Sequence, residues 1–477
     1  MRLHLTPFFC FLMIIVHPFV KAQNNDILKS LDSKSATYKD LALKIWNLAE
    51  VGYQEVESSK LLQDELTKNG FDVESGVAGI PTAFVATYGS GSPVIGILAE
   101  FDALPGVSQA AVPERQVREE VNAGHACGHH MFGTASSAAG IAVRNWLDKN
   151  GKKGTIKVFG TPAEEGGAGK VYMVREGLFD DVDIVLHWHP SSSNGASARS
   201  SLANKSAKFR FYGQASHAAA APDRGRSALD GVEAMNNMVN MLREHVPMET
   251  RMHYVITSGG EAPNVVPEFA EVYYYIRHPE MDEVRRIFEL VVDAAEGAAL
   301  GTQTKMEYEV IHGIFNVLPN KTLSEIMHKN LTEVGGVKYE NSDLEFAKKI
   351  IQTYDASEDV IASANQIQPF TISTRGTGGS TDVGDVSWMV PTAGMGAATW
   401  VPGTAAHSWQ AVAAGGTDIG MKGMMVAAKT IALTAVELMQ SPDVIEKSKE
   451  ELDSRRGVNF KYEALLGDRE PPLDYRK

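Results

Sequence analysis

Apolar side chains recur at spacings of three and four over Ser35 to Glu50 and Glu57 to Lys68, which predicts two amphipathic helices. The pattern then shortens to β-rich runs at Ala83 to Tyr88 and Val94 to Ala99, the second of which ends in EFDALPG. Two later runs, TIKVFGTPAEEGG (Thr155 to Gly167) and DIVLHWHP (Asp183 to Pro190), stay apolar until they stop at carboxylates or imidazoles. Strands alternating with helical stretches predict an α/β sheet, and in open sheets of that kind the ligand site lies beyond the carboxyl ends of the strands. The polar groups that end these runs are therefore the first place to look for chemistry.

From about Lys205 the text changes. AKFRFYG, a helix-period stretch Ser227 to His245, MHYVITSGG, AEVYYYIRHP, a second amphipathic stretch Glu283 to Ala299 and a run Lys305 to Val310 read as strand, helix, strand, strand, helix, strand. This is a small α+β insert interrupting the larger domain.

The first residues, MRLHLTPFFCFLMIIVHPFVKA, place Arg2 before the apolar run Phe8 to Val16 and small residues Val20 and Ala22 before a cut. They read as a secretory signal peptide, since the apolar run is too short for the roughly 20 residues that span a bilayer. The expected organisation is a signal peptide over 1–22, a catalytic domain in two parts (24–203 and 316–440), the insert at 204–315, and a polar tail at 441–477.

Composition narrows the class. A chain of 477 residues with 44% hydrophobic and 22% charged residues is an ordinary globular chain of two or three domains. Its net charge of -14 argues against nucleic acid, which needs a basic footprint. Loss of 1–22 removes Arg2 and Lys21 but no acid, leaving 43 basic residues against 59 acidic, a net -16. The expected product is an exported acidic protein, periplasmic or secreted, with no membrane partner after cleavage. Cys127 is then its only cysteine, so no internal disulfide can form, and the thiol is a buried small side chain, a nucleophile or a metal ligand.

Four places concentrate metal-competent side chains. GHACGHH holds His125, Cys127, His129 and His130, a mixture of thiolate and imidazole that suits zinc and similar ions. Glu164 and Glu165 end an apolar strand, and on extended chain they would face opposite sides, so that one could hold metal while the other acts as general base. Taken alone, such a pair is as often solvated charge. In HWHP, His187 and His189 share a strand face, with His189 nearer the strand end. His407, in GTAAHSWQ, would by itself be an ordinary loop histidine. No HExxH, GxxxxGK[ST] or GxSxG motif is present. A Cys127 nucleophile paired with His129 would leave Glu164, Glu165, His189 and His407 unused. Metal-assisted hydrolysis uses them all.

EFDALPG, GHACGHH, PAEEGG, WHP, GQASHAA and GTAAHSWQ, in this order, resemble the M20 metallopeptidase family, in its amidohydrolase branch with hippurate hydrolases and plant auxin-conjugate hydrolases. GGEAPNVVPEFAEVYYYIR and STDVGDVSW are most similar to the B-type subunits of p-aminobenzoyl-glutamate hydrolases. The resemblance implies a two-domain fold, with a zinc-peptidase-like α/β catalytic domain and an inserted ferredoxin-like α+β lid and dimerisation domain. It implies two divalent ions, zinc or manganese, held by Cys127, His129, Glu165, His189 and His407, with Asp102 behind them and Glu164 as general base toward a metal-activated water. It further implies that His217 reaches into a partner's site to stabilise the oxyanion, and that Asn264 and Arg277 meet the substrate carboxylate. The expected substrate is a small amide or dipeptide, led by p-aminobenzoyl-glutamate, with a dipeptidase or N-acyl amino acid hydrolase as the alternative and a non-catalytic metal-binding module as a third reading. The expected assembly is a homodimer, or a heteromer with a related A-type subunit. The chain departs from many relatives at His130, where they carry Asp or Asn, and at Glu100, where they carry Asp.

Overall fold

A computed structural model describes residues 23–376 and 378–477, so the predicted signal peptide and Cys10 lie outside the described residues. In chain order the main strands are β1 (Asp72–Ser75), β2 (Phe84–Ser90), β3 (Val94–Ala99), β4 (Gly154–Gly160), β5 (Ile184–Ser191), β6 (Gly195–Ala196), β7 (Ala203–Tyr212), β8 (Arg251–Ser258), β9 (Phe269–His278), β10 (Lys305–Ile314) and β11 (Thr392–Ala398). They form a seven-stranded sheet in the order β1-β2-β4-β3-β5-β11-β6 and a four-stranded sheet in the order β8-β9-β7-β10.

The four central strands of the large sheet, β4, β3, β5 and β11, are parallel. Parallel strands are covered on both faces, and β3 accordingly reads as an almost unbroken apolar run, VIGILA. Their common direction sends every carboxyl end to the same edge. Helices α1 (His129–Asn150) and, late in the chain, Asp418–Met439 pack on these strands and on each other. The second is apolar and long enough to cross a membrane, but it is buried as a core helix here.

The small sheet is antiparallel throughout. Its strands alternate, as in β9, where Ala270, Val272, Tyr274 and Ile276 are buried against helices Ala228–Leu242 and Met281–Thr302. Tyr273, Tyr275 and Arg277 face the other way and are half-buried. Strand β8 is an outer edge and leaves Tyr254, Val255 and Ile256 exposed.

Two expectations change. The helix predicted over Ser35 to Glu50 stops at Leu48, because Ala49 turns left-handed with φ 46°. The polar tail is not featureless: Pro442–Arg456 forms a charged helix with proline at its start, where a missing N–H costs nothing, and only the residues after it lack helix and strand.

Candidate metal centre and active site

The parallel edge collects the candidate residues. Glu100 and Asp102 follow β3, Glu164 and Glu165 follow β4, His189 ends β5, and His407 lies in the loop after β11. Cys127 and His129 come from the loop that opens α1, where Gly128 takes φ 77°, a left-handed turn that glycine adopts without strain. The two loops are joined directly, with His407 N–H donating to the Ala126 carbonyl at 3.1 Å.

The donor atoms converge. Cys127 Sγ lies 3.5 Å from His189 Nε2 and 3.5 Å from His407 Nε2. His407 Nε2 is 3.2 Å from Glu165 Oε1, and His129 Nε2 is 3.1 Å from Glu100 Oε2. Three overlapping groups have ligand atoms mutually within 4.8 Å: Cys127, His129 and His189; Cys127, Glu165 and His407; and Glu100, His129 and Glu164. Except for His129, which sits behind the wall, these residues line a cavity of about 460 Å³ with Phe132, Ser380 and Thr381. A larger hydroxyl-rich cavity of about 630 Å³ shares His187, His189 and Thr381 as walls.

Asp102 orders this cluster from behind. Its Oδ1 accepts from His129 Nδ1 at 2.8 Å and its Oδ2 accepts from the Glu165 N–H at 2.9 Å. Because Nδ1 donates, the lone pair of a neutral His129 sits on Nε2, facing the cluster. His189 is set in the same way, its Nδ1 bonding the Pro190 carbonyl at 2.7 Å and its Nε2 turned to Cys127.

Electrostatics favour a cation here. Burial disfavours charge on His129, yet the Asp102 and Glu100 carboxylates outweigh it and raise its pKa well above the ordinary imidazole value. Burial raises Glu165, but the adjacent His407 imidazole and the charge of His129 win and leave it lowered. Burial, reinforced by Glu100 and Glu165, pushes Glu164 well above the carboxylate range, as suits a group that must accept a proton. Among the described residues, His129 Nε2, Glu165 Oε1 and Glu100 Oε2 are buried without a hydrogen-bond partner. Unpaired buried acceptors cost stability, and a set of imidazole, thiol and carboxylate donors at one point fits a transition-metal ion.

Several residues behave differently from expectation. Glu164 and Glu165 do not separate on extended chain; they sit in a turn beyond β4, with Ala163 at φ 57° and Gly166 at φ 96°, and both carboxyls line the cavity. His187 also reaches the cavity but joins none of the three groups. Burial lowers its pKa to about 3. His125 and His130 are structural: they bond the Ile45 and Gly415 carbonyls at 3.1 and 3.0 Å, and their rings pack at a tilt of 50° with centroids 4.7 Å apart. The small-domain residues stay apart. His217 is exposed, with Nδ1 accepting from the Ala219 and Ala220 N–H groups at 3.2 Å, which leaves Nε2–H directed outward. Asn264 adjoins it through the Ala218 N–H, and the Arg277 guanidinium lies over Tyr275 at 5.4 Å with a buried, unpartnered Nε. None of these three lines either cavity.

The sequence reading gave no role to Lys170. It is fully buried, with Nζ 2.7 Å from both Glu100 Oε1 and Asp382 Oδ1, and its N–H donates to Asp382 Oδ2 at 3.0 Å. A lone lysine in the otherwise apolar KVYMV, together with Asp382 in STDVGD, was the available signal.

The sequence profile of peptidase family M20/M25/M40 matches residues 96–433. The chain is 41% identical over 448 residues to the B-type subunit of the p-aminobenzoyl-glutamate hydrolase of Escherichia coli (strain K12), covering 88% of this chain and 93% of that protein. It is 30% identical over 441 residues to the Xaa-Arg dipeptidase of Mus musculus, covering 88% and 90%. In structure it is similar to a Bacillus subtilis dinuclear metal binding peptidase of the M20 family, with TM-score 0.58 and 17% identity over 86% of this chain and 99% of that one. The profile match and the length of the alignments carry the conclusion that the chain belongs to peptidase family M20/M25/M40 and is a hydrolase.

Proposed function

We propose that the protein is a metal-dependent amidohydrolase that splits the amide between an acyl or aminoacyl group and an amino acid, with p-aminobenzoyl-glutamate, giving p-aminobenzoate and glutamate, as its leading substrate. The observation that carries the reading is the convergence of Cys127, His129, Glu165, His189 and His407 on one point, with Glu164 beside them in a cavity of small-molecule size. These five would hold two divalent ions, zinc or manganese, and the ions when bound supply Lewis acidity to the scissile carbonyl and to water. Glu164 takes the proton of the attacking water at its carboxylate and returns it to the departing amine. Asp102 keeps His129 and the Glu165 peptide in place. In a dimer formed through the exposed β8 edge, His217 of the partner subunit supplies an imidazole N–H to the developing oxyanion, while Arg277 and Asn264 meet the substrate carboxylate. Because the Escherichia coli relative is the B-type subunit of its hydrolase, a heteromer with an A-type subunit is the alternative assembly. The similarity to an Xaa-Arg dipeptidase keeps a dipeptidase as the second reading.

The test is release of free glutamate and p-aminobenzoate by the purified chain with Mn²⁺ or Zn²⁺ and with chelator, beside dipeptides and N-acyl amino acids. Metal-dependent cleavage of p-aminobenzoyl-glutamate above the panel is expected. Glu164→Gln should lower kcat by about 10²- to 10⁴-fold; a variant at the wild-type rate would sink the mechanism, and cleavage confined to the panel would discard the named substrate.

A further inference from the structure

The residues after the Pro442–Arg456 helix do not simply cover a surface. Leu465 packs into the core of the small sheet and Leu466 into the core of the large one. Arg469 then bonds the Ile311 carbonyl of β10 at 2.8 Å, and Gln54 Nε2 holds the Leu473 carbonyl at 2.7 Å. The segment ends its path at the catalytic turn. Tyr475 Oη donates to the Glu165 carbonyl at 3.1 Å and Arg476 Nη2 donates to the same oxygen at 2.9 Å. The Arg476 guanidinium lies over the Tyr475 ring at 5.0 Å. A Cβ on Gly52 would fall 2.2 Å from the Tyr475 hydroxyl, so the first domain leaves the space this hydroxyl takes.

The turn needs holding. Ala163 is forced to φ 57°, a conformation that costs a residue with a Cβ about 1 kcal/mol or more and persists only where the surroundings impose it. Glu55 fixes its start by accepting from the Ala163 N–H at 2.8 Å, and Asp102 fixes its middle through the Glu165 N–H. The Glu165 carbonyl, at the far end, has Tyr475 and Arg476 as its donors. The peptide they grip joins Glu165 to Gly166, so its orientation is coupled to the backbone of the turn that carries both carboxylates.

We infer that residues 459–477 form a strap in which Tyr475 and Arg476 are positioning residues, setting the Glu164–Glu165 turn through the Glu165 carbonyl. The inference rests on the hydrolase reading for its effect on rate, but its structural half can be read without a substrate. The experiment compares the full chain with Tyr475→Phe/Arg476→Ala, with Arg476→Lys, and with a chain lacking 473–477. Hydrogen exchange at the 165–167 amides, kcat and KM, and thermal unfolding are measured. Exchange at these amides should speed up by about tenfold or more in the double variant. Its kcat should fall by about 10- to 100-fold, the penalty of a small misplacement, with KM within about twofold. Arg476→Lys, which keeps a donor, should stay within about threefold of the full chain. Unchanged exchange at 165–167 with unchanged kcat overturns the strap, and so does faster exchange spread over the whole chain with a lowered Tm, which would mark a merely structural role. A full chain that cleaves no amide overturns the proposed function alone, because the exchange result still decides the strap.

Discussion

Lys170→Met removes the only cation from a fully buried triad. The lysine Nζ is 2.7 Å from a Glu100 oxygen and 2.7 Å from an Asp382 oxygen, and all three side chains are at most 1% exposed. At an effective dielectric near 20, each contact is worth about 6 kcal/mol of Coulomb attraction. Desolvation of the three ions offsets most of this, at several kcal/mol apiece. Methionine fills similar volume but leaves two carboxylates facing each other, and breaking buried pairs in this way costs about 3–5 kcal/mol. With a urea dependence of about 3 kcal/mol per molar, the unfolding midpoint should fall by about 1–1.7 M. Fluorescence of Trp188, fully buried in β5 beside the site, reports the transition. Adding Asp382→Asn removes one stranded charge, so the double variant should be more stable than the sum of the single effects. A midpoint within about 0.3 M of the wild type, or strictly additive variants, would refute the claim that Lys170, Glu100 and Asp382 act as one unit.

Two further outcomes follow from particular contacts. Asp385 is buried, accepts from the Phe315 N–H at 2.9 Å and the Tyr462 hydroxyl at 2.8 Å, and burial raises its pKa to about 7 from 3.8. The folded state therefore binds the proton more tightly, so this contribution to stability is complete below pH 3.8 and is lost as pH rises toward 7, by about 4 kcal/mol in all. Asp385→Asn should flatten the decline in Tm between pH 4 and 7, and an unaltered profile would show that Asp385 is not its source. The exposed Ile256 of edge strand β8 and Met241 of the Ala228–Leu242 helix offer an apolar face for a second copy. For the proposed dimer, Ile256→Lys with Met241→Lys should shift the mass by light scattering from dimer to monomer; a variant that stays dimeric would place the interface elsewhere, and an unsubstituted chain that is monomeric would refute the dimer.

Local pattern determined much of this protein. The period of apolar residues marks the strand and helix succession of the small sheet from Ala203 to Ile314, because alternation along a half-covered antiparallel strand is written in neighbouring residues. Apolar runs that stop at Glu100, Glu164 and His189 mark one edge, because parallel strands all discharge their carboxyl ends on the same side. The motif order, matched against a family, singled out the residues that the fold brings to one point there. Tertiary structure decided the rest. Whether His130 is a ligand or a core histidine depends on the Gly415 carbonyl, 285 positions away, and the pairing of Lys170 with Asp382 spans 212 positions. The turn that aims Glu164 depends on Arg476, 311 positions beyond Glu165. A short window of sequence can show a lone buried-looking charge, as at Lys170, but not its partner, since a hydrogen bond or ion pair depends on distance in space, and chain closure over hundreds of residues is set by the packed fold as a whole.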